Sequence, residues 1–442
     1  MERHPITGIL EKRKGGERAG IYSVCSANLF VIEAAMERAL ETETYVLIEA
    51  TANQVNQFGG YTGMKPDDFA AFVHDIADKA GLPRRQLILG GDHLGPLTWQ
   101  GEPEASAMEK SMELVRRFVS AGFTKIHIDT SMMLADDDKT KKLSDTIIAK
   151  RAALLAKAAE EAYMSLRKKE NEAPAPLYVI GSEVPVPGGA QENDEEISVT
   201  TAAQFEQTME AFEKEFAAQG ITEAFDRIVG VVVQPGVEFS DEGITPYDRE
   251  KAKDLCAGLK QHPGIVFEGH STDYQTRESL RQMVEDGIAI LKVGPALTYA
   301  LRQALFALND IENELLSGKD AGHSGKGIGI SGFRDVLEAA MLANPVYWEK
   351  YYHDDAHSSA AFKRKYSFSD RCRYYLPEKN VADAIDNLMK NIDGVYVPLS
   401  LLEQYLPMQY THLREGKLSM DAAAIIKDRV KDYIDDYLYA VI

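Results

Sequence analysis

Eight short, nearly all-apolar runs, each followed by a longer amphipathic stretch, constrain the fold of this chain more than any other feature. The runs are GIYSVCSAN from Gly20, TYVLIEAT from Thr44, QLILGGDH from Gln86 and TKIHIDTS from Thr124, then PLYVIGSEV from Pro176, RIVGVVVQPG from Arg227, GIVFEGHS from Gly264 and IAILKVGP from Ile288. A run that is apolar at almost every position suits a parallel strand covered on both faces. The stretches between, such as LFVIEAAMERALE and EASAMEKSMELVRRFVSAG, carry helical periodicity, and several stop at a glycine, as at Gly81, Gly122 and Gly220. Eight strand–helix units in succession predict a (β/α)8 barrel over residues 1–318, with a doubly wound open sheet as the alternative. A Gly-rich connection over 319–332 and a mainly helical, Tyr-rich C-terminal region over 333–442 complete the expected organisation. The GxGxxG match at Gly327, Gly329 and Gly332 follows a helix instead of a strand, so it is a poor dinucleotide site.

The chain has 442 residues, 45% of them hydrophobic, and a formal net charge of -20. No Lys/Arg run is long enough to track phosphates, which argues against nucleic acid and anionic membranes as partners. A locally positive pocket in an acidic chain can still hold a phosphorylated sugar. Cys25, Cys256 and Cys372 contain no CxxC and leave an odd number, so no disulfide framework is expected and a reducing compartment fits. The first residues, MERHPITGILEKRKGGERAG, lack the apolar segment of a signal peptide, and no long apolar span occurs. A cytoplasmic protein is the expectation. No GxxxxGK(S/T) is present, so a P-loop kinase is not supported.

In a (β/α)8 barrel the loops after the strands converge on one mouth, and chemistry collects there. Read at those ends, the chain offers Ser26 and Asn28, then Glu49, Asn53 and Gln57, then Asp92 and His93, then Asp129. Further on come Ser182 and Glu183, Gln234, then Glu268, His270 and Asp273, and finally Lys292 and Gly294. Two histidines and a carboxylate from different strands can form a metal site with positions open to substrate. The Asp92–His93 pair sits among Gly90, Gly91 and Gly95, and Glu183 precedes the backbone-exposing PVPGG loop. His74 and His127 read as ordinary surface or core histidines, and Asp129 as either a site residue or a turn cap.

GGDHLGP, IEATANQVNQFGGYTGM, GSEVPVPGG, VVVQPGVEF, EGHSTDYQTR, ILKVGPALT and YSFSDRCRYYLP together resemble the Z-type subunit family of class II D-tagatose-1,6-bisphosphate aldolase. The resemblance runs from Gly20 to Pro407, with a divergent insertion near Gly318–Gly332. It implies a TIM barrel of the class II aldolase type with a helical C-terminal region. More weakly, it extends to the catalytic class II aldolases, in which an Asp–His pair ends strand three as general acid/base and zinc ligand. Asp92 and His93 match that pair, His270 matches a further ligand after strand seven, and Glu183 matches a Glu near strand five. Where those aldolases carry another ligand His on strand six, this chain has Gln234. The resemblance thus implies a divalent ion, Zn2+ or a similar transition metal, on His93, His270, Glu183 and Gln234, with Asp92 and Glu183 as catalytic groups.

Because the family includes stand-alone 4-epimerases, the expected activity is metal-dependent interconversion of D-tagatose 6-phosphate and D-fructose 6-phosphate by retro-aldol and aldol steps. Tagatose- or galactitol-type carbohydrate catabolism is the implied setting. The alternative is a non-catalytic subunit that stabilises a separate catalytic aldolase chain, favoured by Gln234 and the Tyr-rich C-terminal region. Self-association into a homo-oligomer stays open. Substrate contacts are expected from Ser26, Asn53, Gln57, Asp129, Asp273 and Lys292, and phosphate contacts from Ser271, Thr272 and the Gly294 backbone. Arg371 and Arg373, in SDRCR, either clamp the phosphate or belong to a salt-bridged helix face.

Overall fold

The computed structural model describes residues 4–182, 184, 197–316, 329–355 and 357–442. Glu183 and most of the Gly-rich connection lie outside the described residues. Eight parallel strands close into a barrel: β1 (Ile21–Cys25), β2 (Val46–Thr51), β3 (Leu87–Leu94), β4 (Lys125–Ile128), β5 (Leu177–Ile180), β6 (Ile228–Val233), β7 (Val266–Gly269) and β8 (Ile288–Val293). Each pairs with its neighbours in chain order, and β8 closes on β1 with Ile21 beside Ile290. Closure removes the open-sheet alternative.

The helices that return the chain are α1 (Leu29–Glu41), α2 (Pro66–Ala80), α3 (Glu104–Ser120), α4 (Asp145–Lys169), α5 (Ala202–Ala218), α6 (Arg249–Gly258), α7 (Arg277–Glu285) and α8 (Pro295–Leu316). Their starts are written locally. Asn28 caps α1 by accepting from Phe30 N at 3.0 Å, and Thr201 and Gln204 form a capping box on α5. Asn28 therefore serves helix initiation rather than the rim. A short hairpin, Glu238–Phe239 with Ile244–Thr245, follows β6 where the sequence suggested only loop.

Two layers fill the barrel. The lower one is apolar, built from Ile21, Leu47, Ile88, Val179, Val266 and Ile290, and it is plugged by Ile6 and Leu10 of an N-terminal helix, Pro5–Lys14. The upper one is charged. Lys125 Nζ lies 2.7 Å from both Glu49 Oε1 and Glu268 Oε2, all three fully buried. Lys292 contacts Glu49 and sits 3.1 Å from Asp92 Oδ1. Glu49 and Glu268, expected at the rim, are thus inside the barrel, paired with a lysine that apolar runs conceal.

The C-terminal region is helical, as expected, and its long helix Ala422–Val441 packs against α1, α7 and α8. Tyr437 in that helix donates to Thr272 O at 2.9 Å, tying the chain's end to the loop after β7. Another segment of this region, around Asp370, reaches the barrel mouth. Among the described residues no helix is long and apolar enough to cross a membrane.

Candidate active site

The strand ends bring four of the chain's polar residues to one point. Asp92, His93, His127 and His270 are buried, and each offers a ligand atom within 4.8 Å of the others. The imidazole centroids form a near-equilateral triangle, with separations of 4.8 Å, 5.0 Å and 5.1 Å. Two close approaches make this possible. A Cβ on Gly90 would stand 2.5 Å from Glu49 Oε1, and one on Gly95 would stand 1.7 Å from Asp129 O. His93 and Ser271 adopt left-handed backbone conformations, with φ of 46° and 53°, just where β3 and β7 give way to their loops. Such conformations cost about 1–3 kcal/mol each and survive where surrounding structure enforces them.

The imidazoles are oriented from behind. His93 Nδ1 is 2.8 Å from Asp129 Oδ2, and His270 Nε2 is 3.0 Å from Glu268 Oε1, so the opposite ring nitrogen of each is left for a ligand. His127 Nδ1 lies 2.8 Å from Asp92 Oδ1, while its Nε2 is buried with no hydrogen-bond partner. A buried imidazole nitrogen without a partner is costly unless something binds it. Carboxylate-backed histidines with one nitrogen free are the usual metal-ligand arrangement. The donor set therefore fits a divalent transition ion held by His93, His127 and His270.

The charges respond to this crowding. Burial alone would raise the Asp92 carboxyl, but the imidazoles, His93 foremost, outweigh it and hold Asp92 well below the usual carboxylate range. Burial pushes His93 down, yet Asp92 and Asp129 more than reverse this and raise it. His270 stays lowered, because burial there outweighs its bond to Glu268. Asp92 is consequently an anion at neutral pH, beside a cavity of about 150 Å³ that it helps to line.

That cavity sorts the expected site residues. Asp92, His93, His270, Asn53, Ser271, Asp273, Lys292, Gly294, Arg371 and Arg373 line it. Asp129 stands behind His93 instead of touching the cavity. Ser26, Gln57 and Thr272 do not line it either, for their side chains are used structurally. Ser26 accepts from Asn28 N at 3.2 Å, Gln57 donates to Lys110 O at 2.9 Å, and Thr272 donates to Lys292 O at 2.6 Å. Gln234 is likewise engaged: its side-chain oxygen accepts from Gly236 N at 2.8 Å and Val237 N at 3.1 Å, fixing its own loop. His127, which the sequence presents as an ordinary surface or core histidine, is the residue that stands beside His93 and His270 instead. Gly294 N is also taken, by Asp273 Oδ1 at 3.0 Å.

The C-terminal region supplies the cavity's other wall. Asp370, at φ 45°, is locked to α8 by Arg302 Nε at 2.7 Å and Thr298 Oγ at 2.7 Å. This turn aims Arg371 and Arg373 at the mouth, where Arg371 lies over the Tyr351 ring and Arg373 over Tyr374. The salt-bridged-face reading fails, since neither arginine pairs with a carboxylate side chain through any ion pair found among the described residues. Tyr61, Tyr351 and Tyr374 escaped the sequence reading as lining residues, because the first two lie in turns and Tyr374 ends a four-residue 3-10 helix too short to show periodicity.

A closed barrel with carboxylate-backed histidines at its mouth is the architecture that the resemblance to class II aldolases implied. Comparison with known proteins narrows this. Residues 6–442 match the family described as D-tagatose-1,6-bisphosphate aldolase subunit GatZ/KbaZ-like, and the chain belongs to that family. It is 46% identical over 431 residues to proteins from Salmonella paratyphi B and Salmonella paratyphi A, both named D-tagatose-1,6-bisphosphate aldolase subunit GatZ, covering 98% of this chain and 98% of each relative. A crystal structure from Sinorhizobium meliloti, described as a probable tagatose 6 phosphate kinase, superposes with a TM-score of 0.83 at 43% identity, covering 96% of this chain and 100% of the other.

Proposed function

We propose that the chain is a metal-dependent 4-epimerase of D-tagatose 6-phosphate and D-fructose 6-phosphate. The observation that carries this reading is the triangle of His93, His127 and His270, each with a free ring nitrogen, beside an ionised Asp92 in one cavity. A divalent ion on the three histidines would supply Lewis-acid polarisation of the ketose carbonyl. Asp92 takes the proton of the carbon-4 hydroxyl. The O–H electron pair becomes the new carbonyl, the carbon-3 to carbon-4 bond breaks, and its pair passes to the ketose fragment as an enediolate. The aldehyde turns, carbon 3 attacks its other face, and the resulting alkoxide recovers the proton from Asp92. Arg371 and Arg373 hold the phosphate, which after cleavage is carried by the aldehyde fragment, and so keep that fragment in the cavity while it turns. Lys292, pinned by Glu49 and Asp92, fixes the position of the Asp92 carboxylate.

The second reading, a subunit that supports a separate catalytic aldolase chain, is favoured by the names of the Salmonella relatives. Incubating the purified chain alone with fructose 6-phosphate and a divalent metal separates the two. Formation of tagatose 6-phosphate is expected. Its absence, with restored aldolase activity only when a catalytic aldolase chain is added, would favour the supporting role.

A further inference from the structure

The start of α8 is where a barrel of this kind would hold a ligand phosphate, since the first N–H groups of a helix have no partner within it. Here a side chain already holds them. Asp273 Oδ1 accepts from Gly294 N at 3.0 Å and from Ala296 N at 2.8 Å, at the head of a 22-residue helix. Asp273 is 3% exposed and lines the cavity. A phosphate brought to these donors would have to displace an anion or lie against it. Burial raises the Asp273 carboxyl to about 6, against the pull of those backbone N–H groups, so it is largely ionised above neutrality.

The cavity's cations are distributed just as unevenly. Lys292 is committed to Glu49 and Asp92. Arg371 is 5% exposed, lines the cavity, and keeps a buried Nε with no hydrogen-bond partner. Arg373 beside it already donates to the Ser369 and Asp370 carbonyls and the Tyr374 hydroxyl, so among the described lining residues Arg371 is the arginine with a donor in reserve, enough for one phosphate. We infer that Asp273 is the specificity-determining residue of this cavity, the group that keeps a second phosphate off the start of α8. This rests on the reading of the cavity as a ketose-phosphate site.

Calorimetric titration of the purified full-length chain, loaded with metal, tests it with fructose 6-phosphate and fructose 1,6-bisphosphate. The monophosphate is expected to bind about tenfold tighter or more, because like charges placed together cost several kcal/mol. Asp273→Asn retains an oxygen for Gly294 N and Ala296 N but removes the charge, so the preference should shrink by about fivefold or more. A bisphosphate that binds the wild type as tightly as the monophosphate would overturn the inference, as would an unchanged preference in a folded Asp273→Asn. If that variant does not fold, the wild-type preference alone decides. Binding of neither sugar would overturn the ketose-phosphate reading beneath it, whereas the expected preference without turnover would leave this inference standing and remove the epimerase.

Discussion

At the barrel end of the cavity, strands hold nearly every charge against a partner: Lys125 between Glu49 and Glu268, Lys292 between Glu49 and Asp92, His93 against Asp129. At the cap end, a loop held by Asp370 presents Arg371 with an unpartnered Nε, backed by tyrosine rings. The first end is rigid and electrostatically saturated, which fixes the position of Asp92. The second keeps donors in reserve for an anion that arrives with the substrate. On the proposed function chemistry and binding fall to different parts of the chain, and substitutions at the two ends should fail differently.

The largest effect is expected from Asp92→Asn, which removes the proton acceptor but keeps its shape. The epimerisation rate should fall by about 10²–10⁴-fold while bound metal and thermal stability stay close to wild type. A variant that keeps half the rate would take Asp92 out of the mechanism. Lys125→Met should act on stability instead, by about 3–5 kcal/mol, because it leaves Glu49 with Lys292 alone and Glu268 with His270 alone, one buried positive charge short. Denaturant unfolding would show this, and a loss under 1 kcal/mol would mean the network tolerates charge imbalance better than its geometry suggests.

Arg371→Met should sharpen the contrast. It is expected to raise KM about 10- to 100-fold, as loss of a charge-assisted phosphate contact does, with kcat changed far less. An equal fall in kcat with KM unmoved would place Arg371 in the chemistry. Gln234→Ala should be milder, costing about 1 kcal/mol through its two loop hydrogen bonds and leaving metal content unchanged. Loss of metal in that variant would restore Gln234 as a ligand.

A pH dependence is expected as well. Burial raises Glu238 to about 7, above its ordinary 4.5. Its protonated form therefore favours the folded state, a contribution fully present below pH 4.5 and lost as pH rises through 7. Glu238→Gln should flatten the stability profile across that window, and an unaltered profile would assign the slope to other groups.

Part of this site was legible because strand ends announce themselves. Asp92, His93 and His270 stand where apolar runs stop, and the glycines around them mark close backbone approach. His127 was hidden inside KIHID, an apolar-looking run. The signal was nonetheless present: Lys125, His127 and Asp129 alternate at the two-residue period of a strand, which sends all three toward one side. Glu268 and His270 repeat that pattern. Gln234, Ser26 and Gln57 misled for the opposite reason, since a polar residue after a strand is as useful for fixing a turn as for meeting a substrate. Gly294 has the right backbone position, but only the folded chain shows Asp273 occupying its N–H. The C-terminal wall was the least legible part, because Tyr351 and Tyr374 reach the mouth through long-range packing that no local pattern encodes, Tyr374 against Tyr61 of the loop after β2.

The measurement that bears most directly on the division of labour is metal reconstitution followed on one preparation. Metal-stripped chain, without any aldolase partner, would be titrated with Zn2+ while bound metal and conversion of fructose 6-phosphate to tagatose 6-phosphate are both recorded. The account predicts that conversion rises in step with metal and levels off at one ion per chain, and that His127→Ala neither binds the ion nor converts the sugar. Full conversion by the metal-free chain, or a His127→Ala variant that binds and turns over like wild type, would contradict it.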